Sequence, residues 1–349
     1  MPLEEPAWWY DAEAKPPLWA PLLAPASWVY NRATARRLSR TGARVGIPVI
    51  CVGNLTAGGS GKTPTVAYIA ERLVARGHRP AILTRGYGGT VRGPTWVTAE
   101  ASARSVGDEA RLLHGRGLPV MVSPDRLAGA RQIVADRADI DVILMDDGLQ
   151  NRRLAHDLSI AVVDAARGFG NGHVIPRGPL RASIAAHAGY VDAALVVSSG
   201  SGAAPETPRL AQLIDGPPPV PKMSGRIVPA EDAGLAGARV VAFAGIANPD
   251  RFFDTLRAIG ADVIATRVFK DHHAFTAGER AQLSEMARDN DARLAATEKD
   301  LARLDPASGA EQAFAATCAT LKIALALDPP SDATLERLIN AAITGSGSV

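Results

Sequence analysis

Residues 45–54, VGIPVICVGN, form a short apolar, β-branched run ending near glycine, and TAGGSGKT (56–63) follows almost at once. The next stretch, TPTVAYIAERLVARGH, sets apolar side chains at helical spacing and closes at Gly77. A strand, a glycine turn and a helix in that order are the setting in which the pattern G-x-x-x-x-G-K-[ST] holds phosphate. Thr56 stands where the first glycine of that pattern belongs. The anomaly is tolerable, because Gly58, Gly59, Ser60 and Gly61 still let successive backbone N–H groups turn inward as an anion nest. Lys62 adds a point charge, and Thr63 opens a helix whose positive end faces the same anion, its hydroxyl placed for Mg²⁺. A nucleoside triphosphate site is the expectation.

Further along, PAILTRGYGG, LPVMVSP, DVILMDDGLQ, LSIAVVDA and AALVVSS read as strands, interleaved with helical stretches such as SVGDEARLLHGRG and DRLAGARQIVADR. That alternation implies a mostly parallel sheet with right-handed crossovers. Residues 201–225 are rich in Gly, Pro and Ser and read as a linker. A second alternating unit starts at ARVVAFAGIANPDRFFDTLRAIGADVIAT and runs to a last helix near 331–342. The expected plan is an N-terminal helical segment (1–43), a P-loop nucleotide-binding lobe (44–200), the linker, and a smaller α/β lobe (226–349) completing an active-site cleft.

Composition narrows the class. With 38 basic against 36 acidic residues and no basic block studded with aromatics, the chain is not expected to bind nucleic acid. Two cysteines, Cys51 and Cys318, make neither a disulfide framework nor a metal spacing. The N-terminus opens acidic, unlike a signal peptide, and its apolar stretch from Leu18 to Tyr30 is too short to span a bilayer. Yet Trp8, Trp9, Trp19 and Trp28 crowd there, followed by Arg32, Arg36, Arg37, Arg40 and Arg44. Two readings stand: a helix lying in a membrane interface, or a helix packed on its own domain with Trp in the seam.

Asp146 and Asp147 end an apolar strand, where carboxylates can hold the Mg²⁺ that bridges β- and γ-phosphates. Two polar clusters bear on the reaction: Gly107-Asp108-Glu109, and Lys270-Asp271-His272-His273 in the second lobe. Phosphorylating an alcohol needs a group to take the hydroxyl proton, and a carboxylate beside an imidazole suits that task. A kinase of a soluble alcohol and a P-loop ATPase switch remain alternatives at this point, the switch leaving both clusters without a task.

The ordered set VGNLTAGGSGKTP, LTRGYGG, VGDEA, VMVSPDR, DDGLQ, IPRGPLR, AFAGIANPDRFF, KDHHAF and TEKDLARL resembles the tetraacyldisaccharide 4′-kinases, the lipid A 4′-kinases of Gram-negative bacteria, from about Trp28 to Leu304. That family's loop also lacks the first glycine. The resemblance implies a peripheral enzyme on the cytoplasmic face of the inner membrane, with no obligate protein partner. It would use ATP and Mg²⁺ to phosphorylate the 4′-hydroxyl of an acylated glucosamine disaccharide 1-phosphate, giving lipid IVA. By the same resemblance Gly58 to Thr63 bind nucleotide, and Thr63, Asp146 and Asp147 bind metal. Asp108 is the base with His272 as its partner, and Arg85 and Arg181 contact phosphate or substrate. Two motifs depart from the family pattern: Leu149 and Asn151 replace Phe and His after the aspartates, and Ala182-Ser183 replace Glu-Pro after GPLR.

Overall fold

The computed structural model describes residues 5–11, 14–198, 210, 213, 215, 219–231 and 233–345. In chain order the first elements are α1 (Ala24–Leu38), β1 (Val49–Gly53), α2 (Lys62–Ala75), β2 (Pro80–Thr84), β3 (Thr95–Trp96), α3 (Ala103–Val106), α4 (Asp108–Gly115) and β4 (Val120–Val122). Then come α5 (Arg126–Asp136), β5 (Val142–Asp146), β6 (Leu158–Asp164), α6 (Ile184–Ala188), β7 (Ala193–Ser198) and β8 (Lys222–Pro229). The chain continues through β9 (Arg239–Ala244), α7 (Pro249–Ala258), β10 (Asp262–Val268), α8 (Ala277–Asp289), β11 (Arg293–Thr297) and α9 (Glu298–Ala302). It closes with α10 (Gly309–Thr317), β12 (Cys318–Leu321), β13 (Ile323–Leu327) and α11 (Pro329–Gly345).

These elements form two compact units, one of residues 1–84, 125–227 and 325–349, the other of 85–124 and 228–324. This differs from the sequential lobes expected above. Residues 85–124 join the second unit because α4 packs on α9, Arg116 pairing with Glu298. Residues 325–349 return to the first because Asp332 and Glu336 of α11 pair with Arg72 and Arg76 of α2. The expected linker also ends early: Lys222–Gly225 already belong to β8, which pairs in parallel with β7. Residues 201–209 of that linker lie outside the described residues.

In the first unit, parallel pairing runs β8-β7-β6-β1-β5-β2. Strands β1, β5, β6 and β2 are buried at every position, as expected where both faces of a parallel sheet are covered. The register sets Val52 of β1 beside Asp146 of β5. The glycine turn after β1 and the aspartates ending β5 therefore share the carboxyl edge of the sheet, where α/β folds bind ligands.

The second unit has its own parallel sheet, β10-β9-β11-β12. Strand β9, RVVAFA, works by period two. Val240, Ala242 and Ala244 cluster with Phe252, Phe253 and Leu256 of α7, while Val241 and Phe243 cluster with Phe275, Leu283 and Phe314. The antiparallel pair β3–β4 also belongs to this unit.

Helix α1 turns Ser27, Thr34 and Leu38 inward, and Asn31 on the same face accepts a hydrogen bond from the Ser183 N–H. Ser27 donates to Val174 O at 2.8 Å. Other apolar side chains on α1 and just before it are left outside: Leu18, Trp19, Leu22, Trp28 and Val29 are all more than half exposed, alongside exposed Arg32, Arg36 and Arg37. Of the N-terminal tryptophans, Trp9 alone is buried. Trp9 thus packs on its own domain, as the second reading expects, while Trp19 and Trp28 stay exposed.

Candidate active site

The loop after β1 is pinned before it becomes a nest. Thr56 forms an antiparallel bridge with Leu180, Ala57 N donates to Pro179 O at 2.8 Å, and Arg181 N donates to Leu55 O at 2.7 Å. Thr56 therefore sits in extended backbone, which a β-branched residue favours, and this explains why no glycine is needed there. The left-handed turns fall on Gly58 and Gly61, with φ of 86° and 85°, values that only glycine adopts at little cost. Lys62, almost fully buried, rests its Nζ 3.3 Å from Gly58 O and 3.9 Å from Asp147 Oδ1. Asn54 Oδ1 and Ser60 Oγ are buried without a hydrogen-bond partner among the described residues. Buried polar atoms are seldom left so, and two of them beside an anion nest fit a site built for a polar ligand.

Asp146 is buried, with Thr84 Oγ1 3.5 Å from its Oδ2. Asp147 has φ +51°, a strained value for a non-glycine residue. Arg181 grips it in bidentate fashion, Nη1 to Oδ1 at 2.8 Å and Nη2 to Oδ2 at 3.1 Å, and also donates to Thr56 O and Gln150 Oε1. Burial works to raise the Asp147 carboxyl, but the charges of Lys62 and Arg181 outweigh it and hold it at about 2. Arg181, expected at phosphate or substrate, is thus occupied with the carboxylate and the loop entry. Thr63 is the second residue of α2, directly after Lys62.

In the second unit, Asp108 opens α4. It follows Gly107, whose φ is 92° and where a Cβ would fall 2.6 Å from Tyr87 O. Only glycine permits that approach of TRGYGG to VGDEA. The Asp108 carboxylate is 5% exposed and receives His272 Nδ1 on Oδ2 at 2.9 Å. Because an ionised carboxylate only accepts, the imidazole proton lies on Nδ1. Arg303 adds Nε and Nη2 to the same oxygen, each at 3.2 Å, and Lys299 Nζ stands 3.9 Å away. Burial favours the neutral acid, yet the His272 hydrogen bond and the charges of Lys299, His272 and Arg303 prevail, keeping the carboxyl well below its usual range.

His272 has φ +60°, again strained. The loop that strains it is stiff: His273 stacks on Phe269 and bonds Glu279, which closes a capping box with Thr276. The second histidine of KDHH is therefore structural, and the first is the one joined to Asp108. Arg85 is exposed and makes no hydrogen bond or ion pair among the described residues.

The family model for tetraacyldisaccharide-1-P 4′-kinase matches residues 19–343. Tetraacyldisaccharide 4′-kinase of Methylobacterium nodulans is 47% identical over 302 residues, covering 86% of this chain and 87% of that one. The one from Methylobacterium sp. strain 4-46 is 46% identical over 341 residues, 97% of each chain. This chain belongs to the tetraacyldisaccharide 4′-kinase family. The crystal structure of LpxK from Aquifex aeolicus in complex with ATP shares its fold, with a TM-score of 0.70 at 23% identity over 93% of this chain and 100% of that one.

Of the four residues that depart from the family pattern in this kinase, Leu149 and Ala182 are buried and Asn151 and Ser183 half-buried. Ala182 is fully buried, and Ser183 caps α6 by accepting Ala186 N. Asn151 accepts Arg153 N within its own turn. The nearby buried imidazole is His187, whose Nε2 faces Gln150 Nε2 at 3.1 Å and which burial pushes down to about 4. Sequence reasoning gave no role to Lys299 or Arg303, although TEKDLARL places them at i and i+4, where helical side chains share a face.

Proposed function

We propose that this kinase transfers the γ-phosphoryl of ATP to the 4′-hydroxyl of a tetraacylated glucosamine disaccharide 1-phosphate, producing lipid IVA for lipid A biosynthesis. The observation that carries this is 46% identity to a tetraacyldisaccharide 4′-kinase across 97% of both chains, with the phosphate loop and the Asp108–His272 pair both formed.

The nest of Gly58, Gly59, Ser60 and Gly61 takes the phosphates, with Lys62 as counter-charge. The oxygen donors Thr63, Asp146 and Asp147 would hold Mg²⁺, a hard cation that accepts two carboxylates and keeps water and phosphate oxygens for the rest. When bound, the ion neutralises charge on the transferring phosphate. Asp108 accepts the proton of the sugar hydroxyl, and His272, fixed through Nδ1, orients the carboxylate and shares the charge. Arg85 is free to meet an anionic group of the substrate.

An acceptor with four acyl chains stays in its bilayer, since each buried CH₂ is worth about 0.8 kcal/mol. The exposed Leu18, Trp19, Leu22, Trp28 and Val29 beside Arg32, Arg36 and Arg37 suit an anionic membrane interface. Among the described residues no helix is long and apolar enough to cross a membrane. On this reading the kinase works as a peripheral protein on the cytoplasmic face of the inner membrane. Replacing Trp19, Leu22 and Trp28 together by serine is expected to lower vesicle binding at least 10-fold, read by co-sedimentation with anionic liposomes, with the melting temperature little changed. Unchanged sedimentation removes the interfacial role.

Transfer itself is tested by ADP release with and without the disaccharide lipid in mixed micelles. ADP formation that requires the lipid, matched by a bisphosphorylated product, is the expected result. ADP release indifferent to the lipid points to an ATPase and overturns the proposal.

A further inference from the structure

We propose that Arg303 is a positioning residue for proton transfer: it clamps Asp108 in place and keeps it ionised toward His272. All of its guanidinium nitrogens are used. Nε and Nη2 hold Asp108 Oδ2, while Nη1 donates to Gly245 O at 2.6 Å and to Asp300 Oδ1 at 2.9 Å. Nη2 also lies 3.4 Å from Asp271 Oδ1, beside His272. Its side chain is 6% exposed, so the charge works in a setting where screening by water is weak.

The anchor behind Arg303 is itself fixed. Asp300 is fully buried and accepts from Thr297 Oγ1 at 2.6 Å and from Gly245 N at 3.0 Å. Arg303 thus ties the carboxylate on α4 to the end of β9 and to α9. A planar fork meets these three directions, and a lysine ammonium cannot. Among the described residues Asp108 Oδ1 accepts only from the adjacent Glu109 N, so Oδ2 carries the load of His272, Arg303 and Lys299.

The charged and titratable groups around Asp108 come from every element packed on it. They are Asp271 and His272 from the loop after β10, Lys299 and Asp300 of α9, and Arg303 just beyond it. Glu109 lies on its own helix, Arg104 on α3, and Tyr87 places its ring 5.9 Å from that of His272. The ion pair Arg116–Glu298 closes the far end of the α4–α9 contact. Removing Arg303 takes one cation from Asp108 and leaves two carboxylates, Asp271 and Asp300, less compensated. Protonation of Asp108 then sets in at higher pH.

This inference rests on Asp108 and His272 being the pair that takes the substrate proton. The test is the pH profile of kcat for lipid phosphorylation by the full-length protein, as wild type, Arg303→Met and Arg303→Lys. The Met variant is expected to lose about 10²-fold in kcat, the scale of a misplaced reacting group. Its acid limb should move up by about one unit, the scale of losing an adjacent opposite charge. The Lys variant keeps the cation, so its limb stays near that of wild type while kcat still falls. In both variants the His272 Nδ1 proton resonance is expected to shift, because its acceptor is no longer held.

A Met variant whose kcat falls with an unmoved acid limb overturns the inference while leaving lipid phosphorylation by the wild type intact. Should the Met variant fail to fold, the Lys variant decides: wild-type kcat, or an unmoved His272 resonance, overturns it. A wild-type protein that phosphorylates no lipid removes the functional reading and this inference with it.

Discussion

Replacing Asp108 by alanine is expected to lower turnover by about 10²–10⁴-fold, the usual worth of a general base, while nucleotide affinity changes little. The groups assigned to nucleotide, Gly58 to Thr63, belong to the other unit, so the loss falls on transfer. His272→Ala is expected to fall in the same range, because Asp108 Oδ2 and His272 Nδ1 share one hydrogen bond at 2.9 Å. Residues acting as a unit are not additive, so the double variant should be scarcely worse than the worse single one. Steady-state kcat and an independent nucleotide Kd read both quantities. Equal losses in turnover and nucleotide affinity would make the pair a structural feature. A double variant down by the product of the two singles would show that they act separately.

The second large effect is expected at Lys62. Substitution by methionine keeps the aliphatic stem of a nearly buried side chain and removes only the charge. Turnover per unit KM for ATP should fall by about 10²–10³-fold, the cost of losing one preorganised group aimed at developing charge. Nucleotide affinity should fall too, which sets this variant apart from Asp108→Ala. The fold should survive, since Asp147 keeps its two contacts with Arg181. Near-normal ATP kinetics in a folded Lys62→Met protein would show that the glycine turn does not hold the triphosphate.

The strand–turn–helix around TAGGSGKT was legible because each part obeys a local rule: a continuous apolar run, glycines where φ is positive, then helical spacing. Strand β8 was not, because KMSGRIVP mixes polar residues and glycine and follows a Pro-rich stretch, and its place between β13 and β7 is what makes it a strand. The interleaving of the two units was equally hidden. Nothing in SVGDEARLLHGRG says that its helix will pack on EKDLA nearly two hundred residues later, and that contact decides which unit it joins.

At the site, the sequence brought Asp108 and His272 together only through resemblance, since they lie 164 residues apart. Arg303 escaped notice because an arginine at the end of a short helix usually faces water, and it is Asp300, Gly245 O and Asp108 that turn the fork inward. The tryptophans show the limit of composition. Trp9 and Trp28 read alike, yet one is buried and the other two-thirds exposed. The seam of Ser27, Asn31, Thr34 and Leu38 decides that, by taking the inward face of α1 for itself.

Everything turns on where the new phosphate goes. Purified protein, ATP, Mg²⁺ and the disaccharide 1-phosphate lipid should yield a product whose ³¹P–¹H correlation spectrum couples the added phosphorus to the proton on C4′. Phosphate appearing at any other carbon, or only as free orthophosphate in solution, would contradict the account.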